Sequence, residues 1–331
     1  MKFDSDLIQN SVARLSASVR IAVKAVMHAG EVAQKADRGA KTKDGEGHRS
    51  VVTQGDQRAE AVLVEEILQH FPKSARILSE EDADNQNMLK KDCPDGLMEA
   101  TYAYIIDPVD GTAPYGSYLG NWCVSAGVMQ HGEIVGGAVY APDLNGGMLL
   151  VSDRERCVRV IDPSTSDDPL NLFGDFAEPV LPKNATVFFG VDSMLYPSLT
   201  KLMPEIAANV RVTGIANSGI LALAQVACGR ITAVIQTPQK AWDWAGAYRA
   251  VLETGRIFSF FRLVPDSENP GTDKLVEVGE NTYDFDAFKY EKRNRLGYVA
   301  GEPAMVRRLM RLLPRKGYAR TNPETVSGNW K

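Results

Sequence analysis

The segment Asp107-Pro108-Val109-Asp110-Gly111-Thr112 gathers more groups able to do chemistry than any other stretch of the sequence. Its two aspartates follow directly on an apolar, β-branched and aromatic run, Thr101 to Ile106. Pro108 fixes the backbone between them, and Gly111 permits a sharp turn and the close approach of a ligand. The pattern predicts that both carboxylates and the Val109 carbonyl aim at one point. It also predicts that Thr112 opens a helix whose amides can receive an anion. Oxygen ligands converging beside an anion site suit magnesium with a phosphate. A bare pair of aspartates would more simply cap the next segment; the proline, glycine and threonine favour the chemical reading.

Two further acidic places matter. Ser79-Glu80-Glu81-Asp82 follows a short apolar run, and Trp242-Asp243-Trp244-Ala245-Gly246-Ala247 stands where a helix begins. Taken singly, the first is solvated surface, Asp243 is an N-cap, and the two tryptophans are core. Taken together, Glu80, Asp107, Asp110 and Asp243 could bind two or more divalent ions through shared carboxylates. Such a pair of ions clamps the attacking and leaving oxygens of an in-line phosphoryl displacement. No covalent nucleophile is then required, and the sequence offers none. Cys93, Cys123, Cys157 and Cys228 are scattered without a C-x-x-C pair, as expected of incidental thiols in a reducing compartment. His28, His48, His70 and His131 form no triad or zinc spacing.

The elements that must hold these groups follow from periodicity and punctuation. Helical spacing predicts a helix from Asp6 to Ala36 and another from Asp56 to His70, which Phe71-Pro72 stops. Ala75 to Ser79 and Thr101 to Ile106 read as strands, with a polar stretch, Asp82 to Glu99, between them. Trp122 to Met129 and Ile134 to Tyr140 read as a hairpin about His131-Gly132, and Met148 to Val151 pairs with Cys157 to Val160. A proline-rich, acidic passage from Asp162 to Lys183 marks the boundary between a domain at 1–165, with an antiparallel sheet and most of the carboxylates, and one at 180–331. In the latter, strands (Thr186 to Phe189, Ile231 to Ile235) alternate with helices (Tyr196 to Ala208, Ile220 to Cys228, Trp244 to Glu253), which suggests α/β organisation. Pro303 to Leu313 is a helix whose arginines make a solvated face, and the tail after Arg320 is expected to be poorly ordered.

The totals exclude several classes. A chain of 331 residues with 44% hydrophobic and 24% charged residues has the composition of an ordinary globular protein, and its net charge of -5 does not suit coating nucleic acid. The apolar runs are interrupted by charge, so no membrane span is expected. Met1 to Asn10 does not resemble a signal or transit peptide, and a cytoplasmic location is expected.

With these residues in view, the sequence resembles the inositol monophosphatase family. Its three motifs occur in order as Ser79-Glu80-Glu81, Asp107 to Thr112, and Trp242 to Ala245. The likeness runs from Val19 through Val51-Val52-Thr53 and Asp56 to about Gly255, and more loosely over Gly297 to Leu313. The resemblance implies a layered αβαβα sandwich (α+β and α/β halves) with the site between the halves. It implies two or three Mg2+ ions held by Glu80, Asp107, Asp110, Asp243 and the Val109 carbonyl, without a further cofactor. Glu80 with Thr112 would orient and deprotonate the attacking water, with Asp110 also catalytic. The Gly111 and Thr112 amides would face the phosphate. Ser218, Gly219 and Gln236 fall where the family lines its substrate pocket.

A small phosphorylated substrate, lithium sensitivity and a homodimer are the family's usual accompaniments, with neither nucleic acid nor membrane as partner. The sequence departs from the family at Ser50, where inositol monophosphatases carry Asp, and at Gln236, where inositol-specific members carry Glu. Ser79 and Arg256 stand for glycines, and Ala113-Pro114-Tyr115 matches no substrate subgroup. Loss of the Glu charge at Gln236 argues against inositol phosphate itself. A 3′(2′),5′-bisphosphate nucleotidase, to which Ser50 points, and a histidinol- or sugar-phosphate phosphatase are alternatives of the same chemistry. A regulatory binding member is the non-enzymatic alternative, against which the full carboxylate set argues.

Overall fold

A computed structural model describes residues 13–42, 51–70, 75–81, 100–144, 147–154, 156–161, 170–171, 181–283 and 295–321. Helix α1 (Ala17–Lys35) buries Val19, Ala22, Val23, Val26, Ala29 and Ala33; of the residues whose helical spacing predicts it, Val19, Val23 and Val26 are buried and Met27 is half-buried. It starts later than the pattern suggested. The Ser16 amide donates to Asp153 Oδ2 at 2.6 Å, and the Ser16 carbonyl accepts from Arg20, so the chain turns there. A short ribbon, β1 (Lys41–Thr42) with β2 (Val51–Val52), leads into α2 (Gln54–His70).

Seven strands then form one sheet in chain order: β3 (Ala75–Ser79), β4 (Tyr102–Asp110), β5 (Cys123–Gln130), β6 (Glu133–Ala141), β7 (Met148–Asp153), β8 (Arg156–Ile161) and β9 (Leu170–Asn171). Helix α3 (Thr112–Gly116) interrupts the passage from β4 to β5. β3 is parallel to β4, and the rest is an antiparallel meander. The β5–β6 turn runs through His131 and Gly132, with φ of 46° and 80°, the twist a two-residue hairpin needs.

The second half contains β10 (Thr186–Gly190), α4 (Pro197–Thr200), α5 (Met203–Asn209), β11 (Val212–Ala216), α6 (Gly219–Ala227), β12 (Ala233–Gln239), α7 (Ala245–Glu253), β13 (Ile257–Pro265), β14 (Asp273–Glu280), β15 (Leu296–Gly301) and α8 (Pro303–Leu312). The order of its six-stranded sheet is β11-β10-β12-β15-β13-β14. β10 to β12 are parallel, and β15, β13 and β14 extend the sheet in antiparallel fashion.

Two expectations change here. The single helix from Tyr196 to Ala208 is two short helices after a 3-10 turn at Val191–Leu195. Pro197 and Pro204, which lack an N–H donor, stand at their starts. The strand expected at Ile231 to Ile235 begins at Ala233 and runs to Gln239. The expected helix start at Asp6, Cys93, His48, Ser50, Asp82, most of the boundary passage and the tail lie outside the described residues.

Three apolar layers hold the molecule together. Val19, Ala22, Leu63 and Ile67 of α1 and α2 pack on Tyr104, Ile106, Val124 and Ala126 of the first sheet. Leu223, Val226 and Tyr248 of α6 and α7, with Trp244, fill the space between the sheets against Ile105, Met129, Val139, Phe258 and Tyr298. Val306, Leu309 and Met310 of α8 cover Val187, Ile235 and Val299 on the far side of the second sheet. The order is therefore αβαβα.

The middle layer lies very close to the first sheet. A Cβ on Gly137 would sit 2.3 Å from the Gly246 carbonyl oxygen, and one on Gly127 would sit 2.9 Å from Ala245. These glycines let the α7 backbone rest on β5 and β6, and so carry Asp243 from the second half to the carboxylates of the first.

Candidate metal centre

β4 does not end at Asp107. It continues to Asp110, while its register against β5 slips: Asp107 faces Ser125 and Asp110 faces Cys123. Three residue steps on one strand match two on the other, which is a β-bulge. In a regular strand, residues three apart point to opposite faces; the extra residue returns Asp110 to the side of Asp107. Gly111 then turns the chain with φ of 90° into α3, which is only five residues long.

Oxygens of Asp107, Asp110 and Asp243 lie within 4.8 Å of one another. Asp107 is 1% exposed. Its Oδ1 accepts from the Val109 amide at 3.1 Å, whereas its buried Oδ2 accepts from nothing. Asp110 sits at the N-terminus of α6. Its Oδ2 accepts from Ser218 Oγ at 2.5 Å and from the Ile220 amide at 2.6 Å, and its Oδ1 accepts from the Gly219 amide at 3.3 Å. Asp243 is not the N-cap of α7, which is Trp244; it closes a 3-10 turn, and its Oδ2 accepts from the Lys240 amide at 2.7 Å.

Glu80 follows β3, whose register sets Ser79 beside Ile106 and so brings Glu80 next to Asp107. It stands beside the converging triplet without being one of its members. The Val109 carbonyl accepts from Thr112 Oγ1 at 3.1 Å. Ser218, Gly219 and the expected pocket wall are thus engaged first with Asp110. Gln236 is 5% exposed, with its amide against Gly190 and Gly219 and its Oε1 without a donor.

Asp56 was read in the sequence only as part of a resemblance, yet it completes the site. Its Oδ2 accepts from the Thr53 amide and hydroxyl at 2.8 and 2.6 Å, and its Oδ1 accepts from Thr112 Oγ1 at 3.0 Å. The Thr53 hydroxyl in turn accepts from the Gly55 amide. A Thr-x-x-Asp capping box ahead of an apolar helical run was the signal for it.

Electrostatically the triplet is starved of positive charge. Burial pushes the Asp107 carboxyl well above the usual carboxylate range, and Glu80, Asp110 and Asp243 push it further. Burial raises Asp110 to about 6 despite the Ser218, Ile220 and Gly219 donors, with Glu80 adding to the rise. Burial, then the charges of Glu80 and Asp110, raise Asp243 to about 8. Among the described residues no Lys or Arg pairs with any of the three. An orphaned carboxylate oxygen among converging carboxylates, all hard oxygen donors, fits Mg2+.

The model of the inositol monophosphatase family matches residues 15–263. A relative from Thermotoga maritima, named fructose-1,6-bisphosphatase/inositol-1-monophosphatase, is 25% identical over 65% of this chain and 73% of its own length. The Nus factor SuhB of Escherichia coli (strain K12) is 28% identical over 73% of this chain and 85% of its own length. The crystal structure of the extragenic suppressor protein suhB from Bartonella henselae shares the fold, with a TM-score of 0.62 at 21% identity over 90% of this chain and 98% of that one.

Proposed function

This chain belongs to the inositol monophosphatase family, and from that premise we propose that it hydrolyses a small phosphate monoester to an alcohol and inorganic phosphate with Mg2+. The observation that carries the proposal is the convergence of Asp107, Asp110 and Asp243 around the orphaned Asp107 Oδ2. These three carboxylates, with Glu80 and the Val109 carbonyl, would hold two or three ions. Bound Mg2+ supplies the Lewis-acid charge that phosphoryl transfer to water requires.

The chain's own groups do the rest. The single Thr112 hydroxyl proton is shared between Asp56 and the Val109 carbonyl, which leaves the Thr112 oxygen lone pairs to accept from the attacking water. Glu80 stands across the site to take that water's proton. The water oxygen bonds to phosphorus, the ester P–O bond breaks, and the leaving oxygen takes a proton from solvent to depart as the alcohol, while Glu80 returns its proton to solvent. Gly111 and Thr112 amides orient the phosphate. Ser218 and the α6 amides keep Asp110 in its ionised position. Gln236 offers a neutral amide where a charged group would favour a polyol. Lithium sensitivity, a cytoplasmic site of action, a homodimer and a functional division near residues 165–180 extend the same proposal.

Relatives named Nus factor SuhB bring a second reading, a regulatory binding protein. The intact triplet with its Asp56–Thr112 support favours hydrolysis. The test is phosphate release from a panel of phosphomonoesters with Mg2+ and with EDTA, and from Asp110→Asn. Metal-dependent release that the variant lacks is expected; release that persists in EDTA refutes the mechanism.

A further inference from the structure

The carboxyl ends of the parallel strands β10, β11 and β12 meet at one edge of the second sheet, the edge at which open α/β sheets receive ligands. β15 runs antiparallel to β12 and therefore starts at that same edge. The register pairs Gln239 with Leu296 and places Arg295 opposite Lys240, beside the turn that carries Asp243. Arg295 therefore stands on the side of the sheet edge that carries the carboxylates. It still has no carboxylate at ion-pair distance among the described residues, and its buried Nε donates to nothing. Three surface cations of the same half do have such partners: Arg307 with Glu280, Arg315 with Glu277 and Lys316 with Glu268. Lys240, with its ammonium 4.5 Å over the Trp242 ring, adds positive charge next to Arg295.

A guanidinium whose Nε lacks an acceptor, beside a site that would hold a phosphate, suits a second carboxylate or phosphate. Asp192 lies in the 3-10 turn that follows β10, at the same edge. We propose that Arg295 binds a second anionic group of the substrate, away from the phosphate being hydrolysed. The substrate class is then a phosphomonoester that also carries a phosphate or carboxylate. This inference rests on the hydrolase reading above.

The test uses substrates matched except for the second anion: adenosine 3′-phosphate against adenosine 3′,5′-bisphosphate, and phenyl phosphate against 4-carboxyphenyl phosphate. The enzymes are the wild type, Arg295→Met and Arg295→Lys, all with Mg2+. Hydrogen bonds to charged groups predict a loss of roughly 10- to 100-fold in kcat/KM for Arg295→Met on the doubly anionic members, carried mainly by KM. Arg295→Lys should recover part of that loss, and the singly anionic members should change by less than about threefold. The two pairs separate phosphate from carboxylate recognition. Calorimetric binding of adenosine 5′-phosphate, which keeps the second anion, should weaken by a similar factor in Arg295→Met. Equal losses on both members of a pair, or none on either, overturn the proposal. Absence of Mg2+-dependent turnover on every substrate overturns the hydrolase reading instead, and the binding comparison then decides the role of Arg295.

Discussion

Replacement of Asp110 by Asn should make the metal-free protein more resistant to rising pH while abolishing its response to Mg2+. The native carboxyl titrates at about 6, against 3.8 for the free side chain. Between those values the folded state holds a proton that the unfolded state has released. Stability is therefore complete below the lower value and falls as pH rises through the upper one. About two units correspond to about 3 kcal/mol at roughly 1.4 kcal/mol each. For 331 residues, about 2.1 cal/mol/K of unfolding entropy per residue gives on the order of 0.7 kcal/mol/K, so the shift in Tm is about 4 °C. Asn cannot ionise, and its removal of charge also relieves Asp107, so the variant escapes this loss. Its mismatch with the donors Ser218, Gly219 and Ile220 costs the same at every pH. The quantity to read is the change with pH of the Tm difference between the two proteins, measured calorimetrically in EDTA from pH 4.5 to 7.5. Mg2+ at about a hundred times its Kd should then stabilise the wild type by about 2.7 kcal/mol per site and the variant by much less. A Tm difference that is flat with pH would show that Asp110 is not the group that titrates, and an equal Mg2+ response in both proteins would remove it from the metal site.

Glu80→Gln should lower kcat by at least about a hundredfold with little change in KM, because it removes the base and leaves the phosphate contacts; steady-state kinetics showing only a KM effect would remove Glu80 from that role. Asp143→Ala should cost about 3 kcal/mol in urea melts, since Asp143 holds the buried Arg38 at 2.9 Å together with Gln34 and Trp122. The Asp143 carboxyl is held below its usual range by those donors, so this contribution is present at neutral pH and is lost as pH falls toward and below 3.8; a wild-type-like melt would refute it. Gly137→Ala should push α7 off the first sheet through its clash with the Gly246 carbonyl, and weaken Mg2+ binding by at least about tenfold; unchanged affinity by titration would show that Asp243 is positioned independently of that contact.

What could be read in the sequence was local. The strand before Asp107, the His131-Gly132 hairpin and the three acidic motifs announce themselves by alternation, punctuation and residue type. The β-bulge that sets Asp107 and Asp110 on one face needs the pairing with β5, and nothing in Asp107 to Thr112 alone reveals the slipped register. Ser218 reaches Asp110 across 108 residues of chain, so its hydrogen bond is invisible to any window. Asp56 was legible as half of a capping box, but its second oxygen meets Thr112 only after α2 folds against β4. β13 to β15 escaped because an aromatic run such as Phe258 to Phe261 carries no polar alternation when both faces of the sheet are covered.

The way the carboxylates are supported explains why the site suits a divalent ion. Every donor that reaches Asp107, Asp110 or Asp243 among the described residues is neutral: the Val109, Gly219, Ile220 and Lys240 amides, the Ser218 hydroxyl and the Cys123 thiol. Neutral donors fix geometry without cancelling charge, and the buried Asp107 Oδ2 is left with no donor at all. A lysine or arginine in ion-pair contact would satisfy the same carboxylates, and an incoming metal would have to displace it. Arg295 respects this arrangement: it lies opposite Lys240 in the register, and its Nε donates to none of these carboxylates. The negative charge is left for the proposed metal, and the guanidinium for the proposed second anion of the substrate.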